Sequence, residues 1–173
     1  MKILTWPNQI LTTIAIDVEK IDEETNKIID EMLNIMLSNN ALGLAAPQIG
    51  ISKRIIVAKI SEEQLVILVN PKIKNKKDLG LYEEEGCLSL PGVKIKVERA
   101  NTIDVEGLDR KGNELHYHLS NLDAIIIQHE VDHLNGITLL QKANFMQHQK
   151  IKKQLKQEAR YVKRNKKKII HKS

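Results

Sequence analysis

The segment from residue 122 to residue 134 most constrains the fold, because it combines an apolar helical stripe with two histidines four residues apart. The stripe consists of Leu122, Ile125, Ile126 and His129. Residues four apart on an α-helix differ by about 40° in direction, so His129 and His133 face the same side. Asn135-Gly136 ends the pattern in the way a helix C-terminus does. We therefore predict a helix that points two imidazoles toward the protein interior.

The chemistry of this helix follows from the order His129-Glu130-Val131-Asp132-His133. Two neutral imidazoles at this spacing can bind one divalent ion. The carboxylate of Glu130 can reach a water molecule at that ion without being a ligand itself. This HExxH arrangement places two ligands and a general base on one helical turn. An ordinary amphipathic helix is the alternative interpretation.

A catalytic site also needs a third protein ligand and keeps the fourth position for water. Gly136 fits the longer pattern HExxHxxGxxH, but Leu139 stands where that pattern needs a histidine. The only glutamate downstream is Glu158, inside a lysine-rich tail. Cys87 is the remaining candidate, although a lone cysteine is more often a small buried hydrophobe. With His129 and His133 it would form a set of one thiolate and two imidazoles.

Composition favours one cytoplasmic globular domain. The chain has 173 residues, of which 42% are hydrophobic and 28% charged. The longest apolar run, residues 65–69, is far shorter than the roughly twenty residues that a membrane span needs. The first residues lack the apolar stretch of a secretory signal. The single cysteine cannot form an internal disulfide.

Charge divides the chain into a body and a tail. The formal net charge is +5, but residues 150–173 hold eleven Lys and Arg residues against Glu158 alone, a net +10. We predict a catalytic domain at residues 1–145 and a basic helix or tail at 146–173 that packs on it through Ile151, Leu155 and Val162. Electrostatic docking on ribosomal RNA is a further interpretation of this tail.

The sequence predicts an α+β fold in which antiparallel strands wrap around the central metal-binding helix, with a basic C-terminal helix beyond it. Asp22 is the expected cap of the first helix. The predicted elements are a helix at 23–37, a tight loop at 41–50, strands at 55–59 and 65–70 (the second fully buried and ended by Pro71), a surface loop at 72–80, a strand at 93–98, a hairpin of 103–108 with 114–119, the helix at 122–134 and a long helix at 145–165.

Three segments of the chain resemble the motifs of the peptide deformylases, in the family's order and at similar spacing. They are Gly43-Leu44-Ala45-Ala46-Pro47-Gln48, Glu85-Gly86-Cys87-Leu88-Ser89 and Gln128-His129-Glu130-Val131-Asp132-His133. The resemblance covers nearly the whole chain up to the tail. Two positions depart from the family pattern: Ala41 replaces a glycine, and Lys94 stands where many relatives have arginine.

The resemblance implies removal of the N-formyl group from nascent polypeptides that begin with formyl-methionine. It implies that Cys87, His129 and His133 bind the metal and that Glu130 moves the proton. The Gln48 side-chain amide and the Leu88 backbone N–H would stabilise the oxyanion. By ligand type the ion can be Fe²⁺, Zn²⁺, Ni²⁺ or Co²⁺, and the resemblance favours Fe²⁺.

Four apolar residues are candidates for the walls of a methionine pocket: Leu42, Leu122, Ile125 and Ile126. A substrate backbone could lie extended against Gly43. Arg99 and Asp132 are expected to pair behind the metal helix, with both simply exposed as the alternative. We expect a monomer without membrane association whose partner is the formyl-methionyl nascent peptide.

Two other functions stay open from the residues. A small zinc peptidase that cuts internal bonds would use the same HExxH with a different third ligand. A non-enzymatic ribosome- or RNA-binding module would use the His and Cys residues structurally, but a structural site normally has four protein ligands, and no fourth is evident in the sequence.

Overall fold

The computed structural model describes residues 1–61 and 64–153. Five antiparallel strands form one sheet in the order β1-β2-β3-β4-β5. The strands are β1 (Gly43–Ala45), β2 (Ile55–Ile60), β3 (Gln64–Cys87), β4 (Leu90–Leu108) and β5 (Glu114–Ser120). The helices are α1 (Glu23–Ser38), α2 (Asn121–Leu134) and α3 (Leu139–Lys142), with short 3₁₀ helices at Gln9–Thr12 and Ala46–Ile49.

The mixed α/β architecture with an antiparallel sheet agrees with the predicted class. Among the described residues, no helix has both the length and the apolar character needed to cross a membrane.

Helix α1 begins where the sequence predicts. The carboxylate of Asp22 accepts a hydrogen bond from the backbone N–H of Thr25 at 2.9 Å, which satisfies one of the free donors at the helix start. Ile29, Met32 and Met36 are fully buried and pack with strand residues of β1 and β2. The helix thereby supports the back of the edge strand β1.

Helix α2 carries the HExxH segment and contacts all five strands. The core cluster takes five of its residues: Ala124, Ile126, Ile127, Val131 and Leu134. The predicted stripe at 122, 125, 126 and 129 lines a pocket, and Ile126 belongs to both the stripe and the core. The helix ends at Leu134, and the turn after it contains Gly136, whose φ of 69° favours glycine. A Cβ there would lie 2.9 Å from the Thr12 backbone.

Strand β3 is much longer than expected. The predicted surface loop at 72–80 is wrong, because these residues pair with β4 from Lys72↔Glu106 to Gly80↔Arg99. Pro71 does not end the strand; it lies at a register shift between Val69 and Lys72. The segment 65–70 is not fully buried either, since Leu65 is 44% exposed. Residues 72–80 are mostly exposed, so they lack the alternation that marks a half-buried strand.

The predicted tight loop at 41–50 is wrong in part. Residues Gly43–Ala45 form β1, an edge strand paired with β2. The 3₁₀ helix Ala46–Ile49 follows and ends at Gly50, whose φ is 87°. Three residues are too few to give a readable alternation, so a loop and a short edge strand look alike in the sequence. The open edge of β1 borders the pocket.

The second half of the chain agrees more closely with expectation. The alternation predicted at 93–98 is present in β4, and β4 pairs with β5 as the predicted hairpin from Ile103↔Leu119 to Leu108↔Glu114. Residues 145–153 are helical, and Ile151 is buried in a cluster with β4 and α3 residues. Leu155, Val162 and the rest of the predicted tail lie outside the described residues.

Candidate metal centre and active site

A pocket of about 630 Å³ lies between α2, the edge strand β1 and the turn that joins β3 to β4. All three sequence segments with motif character contribute to its lining. The first supplies Gly43 and Gln48, the second Cys87 and Leu88, and the third His129 and Glu130. Residues separated by up to about ninety positions in sequence therefore share one cavity.

The predicted ligand atoms converge at the inner end of the pocket. One atom each from Cys87, His129 and His133 lies within 4.8 Å of the other two. The Cys87 Sγ atom is 3.2 Å from His133 Nε2, and the two imidazole rings meet edge to face with centroids 4.9 Å apart. A thiolate and two imidazoles at this separation fit one transition-metal ion, and three protein ligands leave a coordination position free.

A buried carboxylate sets the orientation of the first imidazole. Glu85 Oε1 is 2.6 Å from His129 Nδ1, so the other ring nitrogen of His129 is directed to the ligand cluster. Arg99 donates to Glu85 from Nε at 2.9 Å and from its terminal nitrogen at 2.5 Å. Burial alone would raise the pKa of Glu85, but the hydrogen bonds from His129 and Arg99 outweigh it and lower the pKa to about 2. Glu85 therefore stays ionised.

The same arginine reaches back to the metal helix. Arg99 is 5% exposed, and it donates to Asp132 Oδ2 at 2.5 Å. This is the pairing that the sequence analysis predicts. Lys142 of α3 also lies 3.2 Å from Asp132. Since Arg99 lies on β4, the network fastens α2 to the sheet and fixes the ring of His129 through Glu85.

Glu130 is buried beside the ligand cluster. It is 4% exposed, and its Oε2 atom has no hydrogen-bond partner within the described residues. Burial raises the pKa of Glu130 to about 7, which suits a group that takes up and releases protons near neutral pH. Gly43 of β1 lies directly over this side chain, because a Cβ on Gly43 would contact Glu130.

The Gln48 side chain lies beside the Cys87 thiol. Its Oε1 atom accepts from the backbone N–H of Ala45 at 2.8 Å, and its Nε2 atom is 3.6 Å from Cys87 Sγ. Leu88 follows Cys87 in the two-residue turn between β3 and β4. The amide of Gln48 and the turn at Leu88 thus flank the thiol on the pocket wall.

The four predicted apolar wall residues all line the pocket. Leu42 and Leu122 are 47% and 43% exposed, whereas Ile126 is only 7% exposed. Ile125 has intermediate exposure. Large apolar side chains left partly open around a cavity indicate a site for an apolar ligand group.

The two departures from the family pattern lie at the outer part of the same pocket. Ala41 is half-buried and packs against the α1 cluster. Lys94 of β4 pairs with Glu84 at 2.8 Å, and both side chains are largely exposed. Neither residue belongs to the set of Cys87, His129 and His133.

Sequence reasoning missed two buried residues of this site. Glu85 and Ser89 lie in the second motif without a predicted role, yet they are 5% and 4% exposed and contact His129 and Gln48. The signal for Glu85 is the run of three glutamates at 83–85, which one glycine separates from Cys87, because a buried imidazole ligand commonly donates its second ring nitrogen to a carboxylate. Nothing in the sequence distinguished the hydroxyl of Ser89 from that of a surface serine.

A cysteine at the end of β3 and two histidines of α2 leave a coordination position free, and a carboxylate of raised pKa lies beside them. This combination defines a metal-dependent hydrolase. A family model described as "Polypeptide deformylase" matches residues 1–149. The chain belongs to the polypeptide deformylase family.

Relatives with known names and structures agree with this membership. A peptide deformylase of Pseudoalteromonas translucida is 40% identical over 94% of this chain and 98% of its own length. One from Syntrophomonas wolfei is 44% identical over 82% of this chain and 92% of its own. The crystal structure of a peptide deformylase from Legionella pneumophila has a TM-score of 0.87 at 35% identity and covers 94% of this chain and 97% of that chain.

A structure from Synechococcus elongatus in complex with actinonin has a TM-score of 0.82 at 35% identity. It covers 87% of this chain and 84% of that chain. These relatives support neither the internal peptidase nor the non-enzymatic RNA-binding module.

The Glu85–His129 contact makes a prediction about metal affinity. Glu85→Gln should weaken metal binding by about 10- to 100-fold, because the ring loses the carboxylate that orients it. Among the described residues, Arg99 would keep Asp132 alone as an acidic partner, so the free energy of unfolding should fall by about 3 kcal/mol. Competition with a chromophoric chelator and urea unfolding measure the two effects.

The matched control is Glu98→Gln, which removes an exposed carboxylate from the same ribbon of strands. This variant should keep wild-type metal affinity and stability. Wild-type metal affinity in Glu85→Gln would show that Glu85 does not orient His129.

Proposed function

We propose that this pocket removes the N-terminal formyl group from polypeptides that begin with formyl-methionine and releases formate. The proposal rests on the convergence of Cys87, His129 and His133 beside Glu130, in a chain of the polypeptide deformylase family. Hydrolysis of the formyl amide needs an activated water molecule, a donor to the developing oxyanion and a group that returns a proton to the leaving amine.

Cys87, His129 and His133 would hold one divalent ion, for which we propose Fe²⁺. Zn²⁺, Ni²⁺ and Co²⁺ also suit one thiolate and two imidazoles. When bound, such an ion supplies Lewis acidity and lowers the pKa of water toward neutrality. The carboxylate of Glu85 keeps His129 in the orientation that binding requires.

Glu130 takes the proton from the attacking water and delivers it to the departing amine. Its burial and its pKa of about 7 support both halves of this role, since a base that is too weak or too strong would be poor at one of them. Gly43, which lies against Glu130, keeps that carboxylate on the side of the substrate.

Gln48 and Leu88 stabilise the oxyanion of the tetrahedral intermediate. The Gln48 Nε2 atom lies 3.6 Å from Cys87 Sγ, and Leu88 is the next residue after that ligand. A side-chain amide and a backbone N–H in these positions donate to an oxygen that gains negative charge during the reaction.

Specificity arises from the shape of the pocket. Leu42, Leu122, Ile125 and Ile126 form the walls that accept the methionine side chain. The substrate backbone adds to the open edge of β1 at Gly43, which has no side chain in the way. A formyl group carries only hydrogen on its carbonyl carbon, so a tight cavity beside Glu130 excludes the methyl of an acetyl group.

We infer that the strands wrap around α2, which contacts all five of them, and that a basic helix at the C-terminus docks on the ribosome near the emerging substrate. The net +10 of residues 150–173 supports an anionic partner. We place the reaction in the cytoplasm and expect the protein to act as a monomer.

Formate release from a formyl-methionyl tripeptide tests this function. Protein loaded anaerobically with Fe²⁺ should release formate from this peptide, whereas protein stripped by a chelator should not. The acetyl-methionyl tripeptide, which differs by one methyl group, is the matched control and should release no acetate. Absence of formate release by metal-loaded protein, or cleavage of internal bonds instead, would contradict the proposal.

A further inference from the structure

The structure assigns Ser89 as the residue that positions the Gln48 amide, an inference that rests on the role of Gln48 in the proposed function. Ser89 is 4% exposed and Gln48 is 2% exposed, so contacts within the protein set the orientation of both side chains. Gln48 Nε2 donates to Ser89 Oγ at 3.2 Å. These two side chains meet across 41 residues of sequence.

The orientation of the Gln48 amide follows from its other contact. The backbone N–H of Ala45 can only donate, so the atom of Gln48 that lies 2.8 Å from it must be the carbonyl oxygen. The amide nitrogen is therefore on the side of Ser89 and Cys87. It carries two hydrogens, and the bond to Ser89 Oγ occupies one of them.

The second hydrogen of Nε2 is donated to Cys87 Sγ, a weak acceptor that this hydrogen can leave for the developing oxyanion. Nε2 lies 3.6 Å from Cys87 Sγ, which is the side of the amide nearest the ligand cluster. With one hydrogen fixed on Ser89 and the carbonyl fixed on Ala45, rotation about the last side-chain bond of Gln48 is restricted. A donor whose orientation is set before the oxyanion forms needs no reorganisation during the reaction.

The backbones of the same two residues are also tied together. The N–H of Leu4 donates to the carbonyl of Gln48 at 2.7 Å, and the N–H of Trp6 donates to the carbonyl of Ser89 at 2.8 Å. Leu4 and Trp6 are two residues apart in one short segment near the N-terminus. This segment binds both the 3₁₀ helix that contains Gln48 and the turn that contains Ser89. It therefore fixes the distance between the two backbones and stabilises the contact between the Ser89 hydroxyl and the Gln48 amide.

A double-mutant cycle between Ser89→Ala and Gln48→Ala tests the inference with a formyl-methionyl tripeptide. Gln48→Ala should lower kcat by about 10²- to 10³-fold, as expected for loss of an oxyanion donor. Ser89→Ala should lower kcat by about tenfold and leave KM unchanged, because the amide is still present but less well oriented. In the Gln48→Ala background, Ser89→Ala should change kcat by less than about twofold, since no amide remains to position.

Bound metal and thermal unfolding are measured on each variant. Ser38→Ala is the matched control, because Ser38 is an exposed serine at the end of α1. This variant should keep the wild-type kcat. If Ser89→Ala kept the wild-type kcat while Gln48→Ala lowered it, the positioning role of Ser89 would be overturned and the role of Gln48 would stand. Losses that multiply in the double variant would also overturn the positioning role, because they would indicate a structural role independent of Gln48. A wild-type kcat in Gln48→Ala would instead remove that amide from the proposed function.

Discussion

Glu130→Gln should lower kcat for formate release by about a thousandfold while metal content stays at the wild-type level. Glutamine has nearly the shape of glutamate but cannot accept the proton of the attacking water, and general acid–base catalysis typically contributes about 10²–10⁴-fold. The side chain is buried and its pKa is raised to about 7, so it is placed and tuned for proton transfer. It lies outside the set of Cys87, His129 and His133.

Steady-state kinetics with a formyl-methionyl tripeptide and metal analysis of the same samples check this expectation. Glu114→Gln is the control, because that side chain is 83% exposed on β5 and far from any role in the pocket. Loss of the metal together with the activity would place Glu130 among the ligands. Unchanged activity would exclude it as the proton carrier.

The parts of the fold that could be predicted are those in which one face of an element is buried. Helix α1 shows its cap at Asp22 and an apolar periodicity, and both are present in the structure. The wet and dry faces of β4 alternate at 93–98 because one face packs on the core. Local patterns suffice in these segments because burial is one-sided.

The long pairing of β3 with β4 could not be predicted in the same way. Between residues 72 and 80 most side chains of β3 are exposed, so polar residues stand on both faces. Asn75 and Asp78 have positive φ values of 47° and 53°, and their residue types are typical of turns. In the structure Asn75 lies within a register shift that interrupts the ladder between Lys74 and Lys77 without ending the strand. The conformation of residues 72–80 is therefore determined by pairing with β4, which is distant in sequence.

The site was predictable to the extent that its chemistry depends on residue type and spacing. The four-residue spacing of His129 and His133 predicts a metal-binding helix, and elimination of other candidates for the third ligand leaves Cys87. The charged network behind the ligands was only partly visible, since the Arg99–Asp132 pair was expected but Glu85, which joins Arg99 to His129, was not. Its role depends on how β3 and β4 bring residues of three elements together, and that is a property of tertiary structure.

Gly43→Ala should lower kcat by about a hundredfold with little change in metal content or in the free energy of unfolding. The backbone of Gly43 does not have the positive φ that favours glycine, so the reason is space. A Cβ at this position would lie 2.8 Å from Glu130 Cδ and Cγ, closer than side-chain carbons approach. The carboxylate would have to move away from the ligand cluster, and a misplaced proton carrier reduces the rate steeply.

Gly80→Ala is the matched control for Gly43→Ala, because a Cβ on Gly80 of β3 would meet no atom within 4 Å. This variant should keep the wild-type kcat. In the Glu130→Gln background, Gly43→Ala should cost little further activity, since its effect acts through a carboxylate that is already absent. Wild-type kcat in Gly43→Ala would mean that Glu130 relaxes without loss of function. A rise in KM alone would instead assign Gly43 to the approach of the substrate backbone along β1.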